Sequence, residues 1–398
     1  MTEMVKSMKL PIYLDYQATT PMDPRVLEAM LPYYKEYFGN AASRHHPFGL
    51  KAKQAVEDAR AKIASFINAE DPEEIIFTSG ATESNNFAIR GIAEMYREKG
   101  NHMITVATEH KSVLSVCQHL EEKGFKVTYL PVDREGLINL CELKTAITGN
   151  TILISVMHAN NEIGVIQPIA EIGEMAKAAG IFFHCDAVQS AGKIPFDVRA
   201  AGIHLASISA HKMYGPKGIG ALYVRKQNPR VRLAPLVYGG GQEMNLRGGT
   251  LNVPAIVGFG EAVRIAKTEM AEEAKRVLGL RTELHSMICK GLDCVDLHGS
   301  LEKRLPGNLN VSFEFIEGEL LFKLINQELA VSSGSACSST SLEPSYVLKA
   351  LGVRESLIHT SVRFSLGRFT TSEEIDYAAN KIVSVVQELR EKSPFYKK

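Results

Sequence analysis

Lys212 stands where a reactive amine would be placed. The apolar run Leu205, Ala206 and Ile208 ends in Ser209, Ala210, His211 and Lys212, and Gly215-Pro216 then breaks the segment. An amine at the end of a buried strand, flanked by hydrogen-bonding side chains, suits a Schiff base with a carbonyl cofactor, most commonly pyridoxal phosphate. The same pattern arises where a lysine only closes a strand and runs its stem over apolar surface to water. The other strand ends must decide between the two.

Asp186 directly follows the apolar run IFFHC (181–185), with Gln189 three residues further on. A carboxylate there needs a cation, which is either a protonated pyridine nitrogen or a structural ion-pair partner. Gly80, Ala81 and Thr82 follow IIFT (75–78) and open a helix, so their amides form either a phosphate cradle or a plain N-cap turn. His110, after the run 103–107, suits ring stacking or proton transfer as well as a structural role. Asn160 and Asn161, in MHANNEIG, offer neutral hydrogen-bonding groups or serve as turn formers. Cys337 lies in SSGSACSSTSLEPSYV (332–347), whose Ser/Gly-rich composition favours mobility and exposure. Cys117, Cys141 and Cys185 sit among apolar residues and are expected to be buried.

The elements that must position these residues are seven apolar runs, at 75–78, 103–107, 126–130, 151–157, 181–185, 205–210 and 219–224. Amphipathic stretches such as 111–123 and 169–179 separate most of them, and helices are expected over 24–37 and 49–68. Strands apolar on both faces and separated by helices predict an α/β fold, a mainly parallel sheet covered by helices. Ligands bind such sheets at the carboxyl ends of the strands. Beyond 262 the pattern changes to a long helix (260–290), strands near 294–298 and 307–315, a helix near 318–328 and a final helix over 372–392. This predicts a large domain (21–261) and a smaller α+β domain (262–398), the latter carrying the cysteine loop 332–343 and joined by residues 1–20.

The 398 residues include 45 basic and 45 acidic side chains, which cancel, and this balance argues against nucleic acid or an acidic membrane as the main partner. No stretch approaches the length of a membrane span and the first residues lack a signal-like apolar region, so a soluble, cytoplasmic protein is expected. Six scattered cysteines without a C-x-x-C pair or a His cluster predict neither a disulfide framework nor a metal site.

The ordered set of a phosphate cradle, a histidine, an aspartate and a terminal lysine resembles the large domain of the fold-type-I pyridoxal-phosphate enzymes. LDYQATTP, FTSGATESNN, TEHKSV, MHANNEIG, HCDAVQS, SAHKMYGPKGIGALYVR, SSGSACSS and RFSLGRFTT together resemble the cysteine desulfurases of the IscS/NifS group, over about residues 10 to 393. The resemblance implies that Lys212 carries pyridoxal 5'-phosphate, Asp186 pairs with the ring nitrogen and Gln189 bonds the ring hydroxyl. It implies that Ala81, Thr82, Ser209 and His211 hold the phosphate, that His110 stacks on the ring and carries protons, and that Asn161 lies against the cofactor. Asn161 and Arg363 match residues that engage the substrate carboxylate; without the resemblance Arg363 reads as an ordinary surface arginine. Thr250 matches a threonine that reaches the phosphate of the other subunit, which implies a homodimer. The implied reaction converts L-cysteine to L-alanine with a persulfide on Cys337. Its sulfur would serve iron–sulfur cluster assembly, other thio-cofactors or tRNA thiolation. An iron–sulfur scaffold protein is the implied acceptor, and a cluster bound transiently through Cys337 is allowed. An aminotransferase or selenocysteine lyase on the same fold, and a cofactor-free sulfur-relay protein, are the competing readings.

Overall fold

All seven apolar runs are strands of one sheet. In a computed structural model that describes residues 9–333 and 344–396, the chain passes through β1 (Ile12–Tyr13), α1 (Pro24–Lys35), α2 (Pro47–Phe66), β2 (Ile75–Thr78), α3 (Ala81–Met95), β3 (His102–Val106), α4 (Lys111–Glu122) and β4 (Lys126–Leu130). It continues through α5 (Leu140–Ala146), β5 (Thr151–Ser155), α6 (Ile169–Ala179), β6 (Phe182–Asp186), β7 (Leu205–Ser209) and β8 (Gly220–Val224). There follow α7 (Val253–Gly291), β9 (Val295–Leu297), β10 (Asn308–Phe313), α8 (Gly318–Ile325), β11 (Leu329–Ala330) and β12 (Ser332–Ser333). The described residues end with α9 (Tyr346–Ala350), α10 (Glu355–Ile358), β13 (Ser361–Ser365) and α11 (Ser372–Lys392).

The large sheet has the order β2-β8-β7-β6-β5-β3-β4. β3, β4, β5, β6 and β7 pair in parallel, while β8 runs antiparallel to both β7 and β2. β2 therefore points the same way as β7, and the carboxyl ends of β2, β3, β5, β6 and β7 share one edge. Strands such as β5 and β7 are buried at every position, which is the signature of a sheet covered on both faces. One apolar layer joins α2, α6 and the first part of α7 to this sheet, and another joins α3 and α4 to its opposite face.

A second sheet, β12-β13-β10-β9, packs with α7, α8 and α11 around its own apolar cluster, which includes Val311, Phe313, Phe364 and Ile382. α7 begins at Val253, earlier than the expected 260, because Asn252 caps it and Pro254 sits in its first turn. Its first half packs in the large core through Ile256, Phe259 and Val263, and its second half packs in the smaller one through Val277, Leu284 and Ile288. The expected boundary at 261/262 falls inside this one helix. The sequence pattern did not announce β13. Its residues Ser361, Arg363 and Ser365 alternate with Val362 and Phe364, yet all five are buried. Cys141 departs from expectation. It is exposed, because it lies in the first turn of the short α5, whose buried residue is Leu143.

A polar network ties four distant segments beside the Lys212 turn. Asp23, which caps α1, accepts from Arg25 and from Nη1 of Arg368 at 2.8 Å. Nε of Arg368 meets Glu273 of α7 at 2.8 Å, Glu273 also accepts from the Tyr214 hydroxyl at 2.8 Å, and the Arg368 guanidinium lies 4.2 Å from the Tyr214 ring centre. The Arg25 side chain, which outranks partial burial as a cause, holds the Asp23 carboxyl down at about 2. Removing one partner of such a pair strands the others, so Arg368→Leu is expected to cost about 3–5 kcal/mol in urea unfolding. Arg25→Leu, at a more exposed position, should cost less.

Candidate active site

A cleft of about 650 Å³ opens at the shared carboxyl edge of the large sheet. Its lining includes Ala81, Thr82, His110, Asn161, Asp186, Gln189, Ser209, His211, Lys212 and Arg363, so ten of the residues singled out in the sequence meet there. Thr250 does not line it, and stands exposed at the end of a glycine-rich segment. Cys337 lies outside the described residues.

Asp186 ends β6 and is buried, with 5% of its surface exposed. Its Oδ2 accepts from Asn85 Nδ2 at 2.7 Å and its Oδ1 from the Val188 amide at 3.0 Å. The second N–H of the Asn85 amide reaches Ser112 Oγ at 2.8 Å, and Ser112 Oγ in turn lies 2.8 Å from His110 Nδ1. The Ser112 backbone N–H donates to the same Nδ1 at 3.1 Å. Nδ1 is therefore an acceptor, and the proton of neutral His110 sits on Nε2. Burial lowers the His110 pKa, against the opposing pull of Asp186 and with help from the charges of Lys212 and Lys111.

Lys212 lies in the turn after β7, where its Nζ donates to the backbone carbonyls of Gln17 and, at 2.7 Å, Ala18. The segment 15–20 thus crosses the cleft and is pinned there, since Thr20 Oγ1 donates to the His211 carbonyl at 3.0 Å and accepts from the Tyr214 amide at 2.8 Å. Gln189 Nε2 donates to the Gln17 carbonyl at 3.0 Å. His211 is pushed down to about 4, first by burial and then by the charges of Lys212, Lys217 and Lys193, so it is a neutral hydrogen-bonding group at pH 7. Its Nδ1 lies 3.1 Å from Thr19 Oγ1.

Arg363 is no surface residue. It is 5% exposed on β13, with Nη1 on the Asn161 carbonyl and Nη2 on Asp15 Oδ1, both at 2.7 Å, while among the described residues its buried Nε has no hydrogen-bond partner. A carboxylate entering the cleft would find this guanidinium already oriented.

The donor set fits pyridoxal phosphate. Among the described residues no side chain caps the amino end of α3, and at Gly80 (φ +154°) an added Cβ would meet no atom within 4 Å, so the cleft stays open beside the first amides of that helix. Among the described residues, no cationic side chain forms an ion pair with the buried Asp186, which leaves its charge for a ring nitrogen.

Sequence reasoning gave no role to Asn85, Ser112, Gln17 or Asp15. All four lie inside quoted motifs (Asn85 in FTSGATESNN, Ser112 in TEHKSV, Asp15 and Gln17 in LDYQATTP), but their contacts are set by the fold, not by spacing. Glu162, next to Asn161, is also buried. Its side chain accepts from Ser345 Oγ at 2.5 Å and its carbonyl from Asn308 Nδ2 at 3.0 Å. Burial raises its pKa to about 7, against the lowering effects of Ser345 and Arg363.

The fold and the cleft define a class-V aminotransferase: the family model described as Aminotransferase class-V matches residues 12–378, and the chain belongs to this family. It is 58% identical over 389 residues to the cysteine desulfurase IscS of Anaeromyxobacter sp. (strain Fw109-5), a match covering 98% of this chain and 96% of that one. It is 56% identical over 396 residues to the cysteine desulfurase IscS of Rickettsia africae (strain ESF-5), covering 100% and 96%. Among solved structures, a NifS-like protein aligns with a TM-score of 0.89 at 40% identity, over 96% of this chain and 100% of that one. A structure described as SspA in complex with cysteine aligns with a TM-score of 0.80 at 41% identity, over 90% and 99%. Within the class-V family, the chain belongs with the IscS/NifS group.

A carboxyl group whose folded pKa lies above its ordinary value binds its proton more tightly in the folded state. The stability from Glu162 is therefore full below about pH 4.5 and lost as pH rises through about 7. Glu162→Gln is expected to abolish this component and to be more stable than the parent at pH 8, by roughly 2–3 kcal/mol in urea unfolding. Equal pH dependence in the two proteins would show that Glu162 titrates normally.

Proposed function

We infer that the protein is a pyridoxal-phosphate-dependent cysteine desulfurase, which converts L-cysteine to L-alanine and leaves the sulfur as a persulfide on Cys337. The reading is carried by the convergence of Lys212, Asp186, His110 and the uncapped end of α3 on one cleft, in a chain 58% identical to a cysteine desulfurase. The cysteine named with SspA supports the choice of substrate.

In this reading Ala81, Thr82, Ser209 and His211 would hold the cofactor phosphate, Asp186 would accept from the ring nitrogen, Gln189 would bond the ring oxygen, and His110 and Asn161 would hold the ring. Held on Lys212, the cofactor would supply an electron-poor ring able to take up the electron pair of the substrate Cα–H bond. Asn161 and Arg363 hold the substrate carboxylate and so fix the side on which the Cα–H bond points. Lys212 would take that proton on Nζ, between the Gln17 and Ala18 carbonyls that steer it. His110, protonated on Nε2, exchanges a proton with the substrate thiol. The Cys337 thiolate attacks the substrate sulfur, so an S–S bond forms as the C–S bond breaks. The C–S electron pair stays with the carbon fragment, which takes up protons and leaves as alanine.

Thr250, exposed and away from its own cleft, is assigned to the phosphate of the other subunit in a homodimer. The persulfide sulfur then passes to an acceptor such as an iron–sulfur scaffold protein, for cluster assembly, other thio-cofactors or tRNA thiolation. Residues 21–261 and 262–398 act as large and small domains, with 1–20 packing on the latter, a division supported by the separate apolar cores. Among the described residues no helix is long and apolar enough to cross a membrane, and a cytoplasmic location belongs to the same reading.

Purified protein given L-cysteine and a thiol reductant should release alanine and sulfide in equal amounts. Lys212→Ala should lose both. Cys337→Ser should lose sulfide release while still binding cysteine and changing the visible spectrum. Keto-acid production insensitive to Cys337 would overturn the assignment and indicate a transaminase.

A further inference from the structure

Gln189 is held at both ends of its amide. Nε2 donates to the Gln17 carbonyl at 3.0 Å, and Oε1 accepts from Lys193 Nζ at 3.2 Å. An ammonium has only donors, so Lys193 identifies the oxygen of this amide and the Gln17 carbonyl identifies its nitrogen. The remaining N–H of Nε2 is left for the cleft that Gln189 lines.

Lys193 reaches this position through a turn that only a glycine suits. Gly192 has φ +79°, and a Cβ there would lie 2.9 Å from that of Met213, in the segment that follows Lys212. The Lys193 amine is desolvated and, among the described residues, forms no ion pair. The charged groups that act on it are Lys212 in the turn after β7, Arg363 on β13 and Glu273 on α7. Glu273 is already engaged by Arg368 Nε and by the Tyr214 hydroxyl. Burial, followed by the charge of Lys212, lowers the Lys193 pKa to about 7, with Glu273 opposing. A half-buried amine in the field of two other cations, with a neutral amide as its acceptor, is costly for a purely structural contact.

We propose that Lys193 is a positioning residue for the reaction: by donating to Gln189 Oε1 it locks the amide so that an N–H, and not the carbonyl oxygen, meets the ring oxygen of the cofactor. This rests on the reading of Gln189 as the partner of that oxygen. A donor there favours the deprotonated ring oxygen, and a cation behind the donor strengthens it through the amide dipole. Both disfavour protonation of the neighbouring nitrogen that joins the cofactor to Lys212. Without the lock, the amide can turn its oxygen toward the ring oxygen and repel it.

The test is a pH titration of the visible absorbance of the holoenzyme, compared among the parent, Lys193→Met, Lys193→Arg, Gln189→Ala and the double variant Lys193→Met/Gln189→Ala. The midpoint should move upward by on the order of one pH unit in Lys193→Met. It should stay close to the parent's in Lys193→Arg, which keeps both donor and charge. Gln189→Ala should shift it in the same direction, and the double variant should shift no further than the larger single change. A Lys193→Met midpoint equal to the parent's, with Gln189→Ala shifted, would overturn the role of Lys193 while the reading of Gln189 stands. Shifts that add in the double variant would make Lys193 a bare charge acting through space and overturn the positioning role. A Gln189→Ala midpoint equal to the parent's would overturn the reading of Gln189 and the inference with it.

Discussion

A carboxylate buried at the end of a β-strand is the constraint around which this molecule is arranged. Asp186 is 95% out of water, and hydrogen bonds from Asn85 and from the Val188 amide stabilise its charge without neutralising it. Charge in that situation calls for a cation. Nearby cationic side chains are committed elsewhere, Arg363 to Asp15 and Asn161, and Lys212 to two backbone carbonyls. The site is therefore complementary to a ligand that brings its own positive nitrogen together with an anionic group for the open end of α3. The same arrangement makes the ring of such a ligand a good electron acceptor, so the demand of the fold and the demand of the chemistry coincide.

The N-terminal segment contributes more than its length suggests. Residues 15–20 supply the carbonyls that hold Lys212 and Gln189, the carboxylate that orients Arg363 and the hydroxyl that ties the Lys212 turn. β1 pairs in parallel with β11, which lies in the C-terminal part of the chain, while Thr20 bonds the turn after β7. This strand of chain couples the small sheet to the catalytic edge of the large one. The shared helix α7 and the Asp23–Arg368–Glu273 network do the same from the other side. Movement of one core against the other would therefore be felt at Lys212 and Arg363 together.

Much of this was legible in the sequence, because it depends on short-range pattern. Runs such as 205–210 and 151–157 declare buried strands, and the residues that end them are the residues of the cleft. What stayed hidden depends on long-range contact. Arg363 was named only through the family resemblance and otherwise reads as a surface residue, because β13 carries polar side chains at alternate positions and its partner Asp15 is 348 residues away. Asn85 stood in a motif, yet its bridge between Asp186 and Ser112 exists only because α3 packs beside β6 and α4. Cys141 looked buried because neighbouring residues are apolar, but a helix of seven residues exposes part of its first turn. Local pattern located the chemistry, and tertiary contact supplied its orientation.

Lys212 is the amine assigned to the cofactor, and Lys193, whose pKa burial lowers to about 7, is the rival. Borohydride reduction of the yellow holoenzyme, followed by peptide mapping by mass spectrometry, distinguishes them. A single reduced cofactor adduct, on Lys212, is expected. An adduct on Lys193 or Lys217, or none at all, would contradict it.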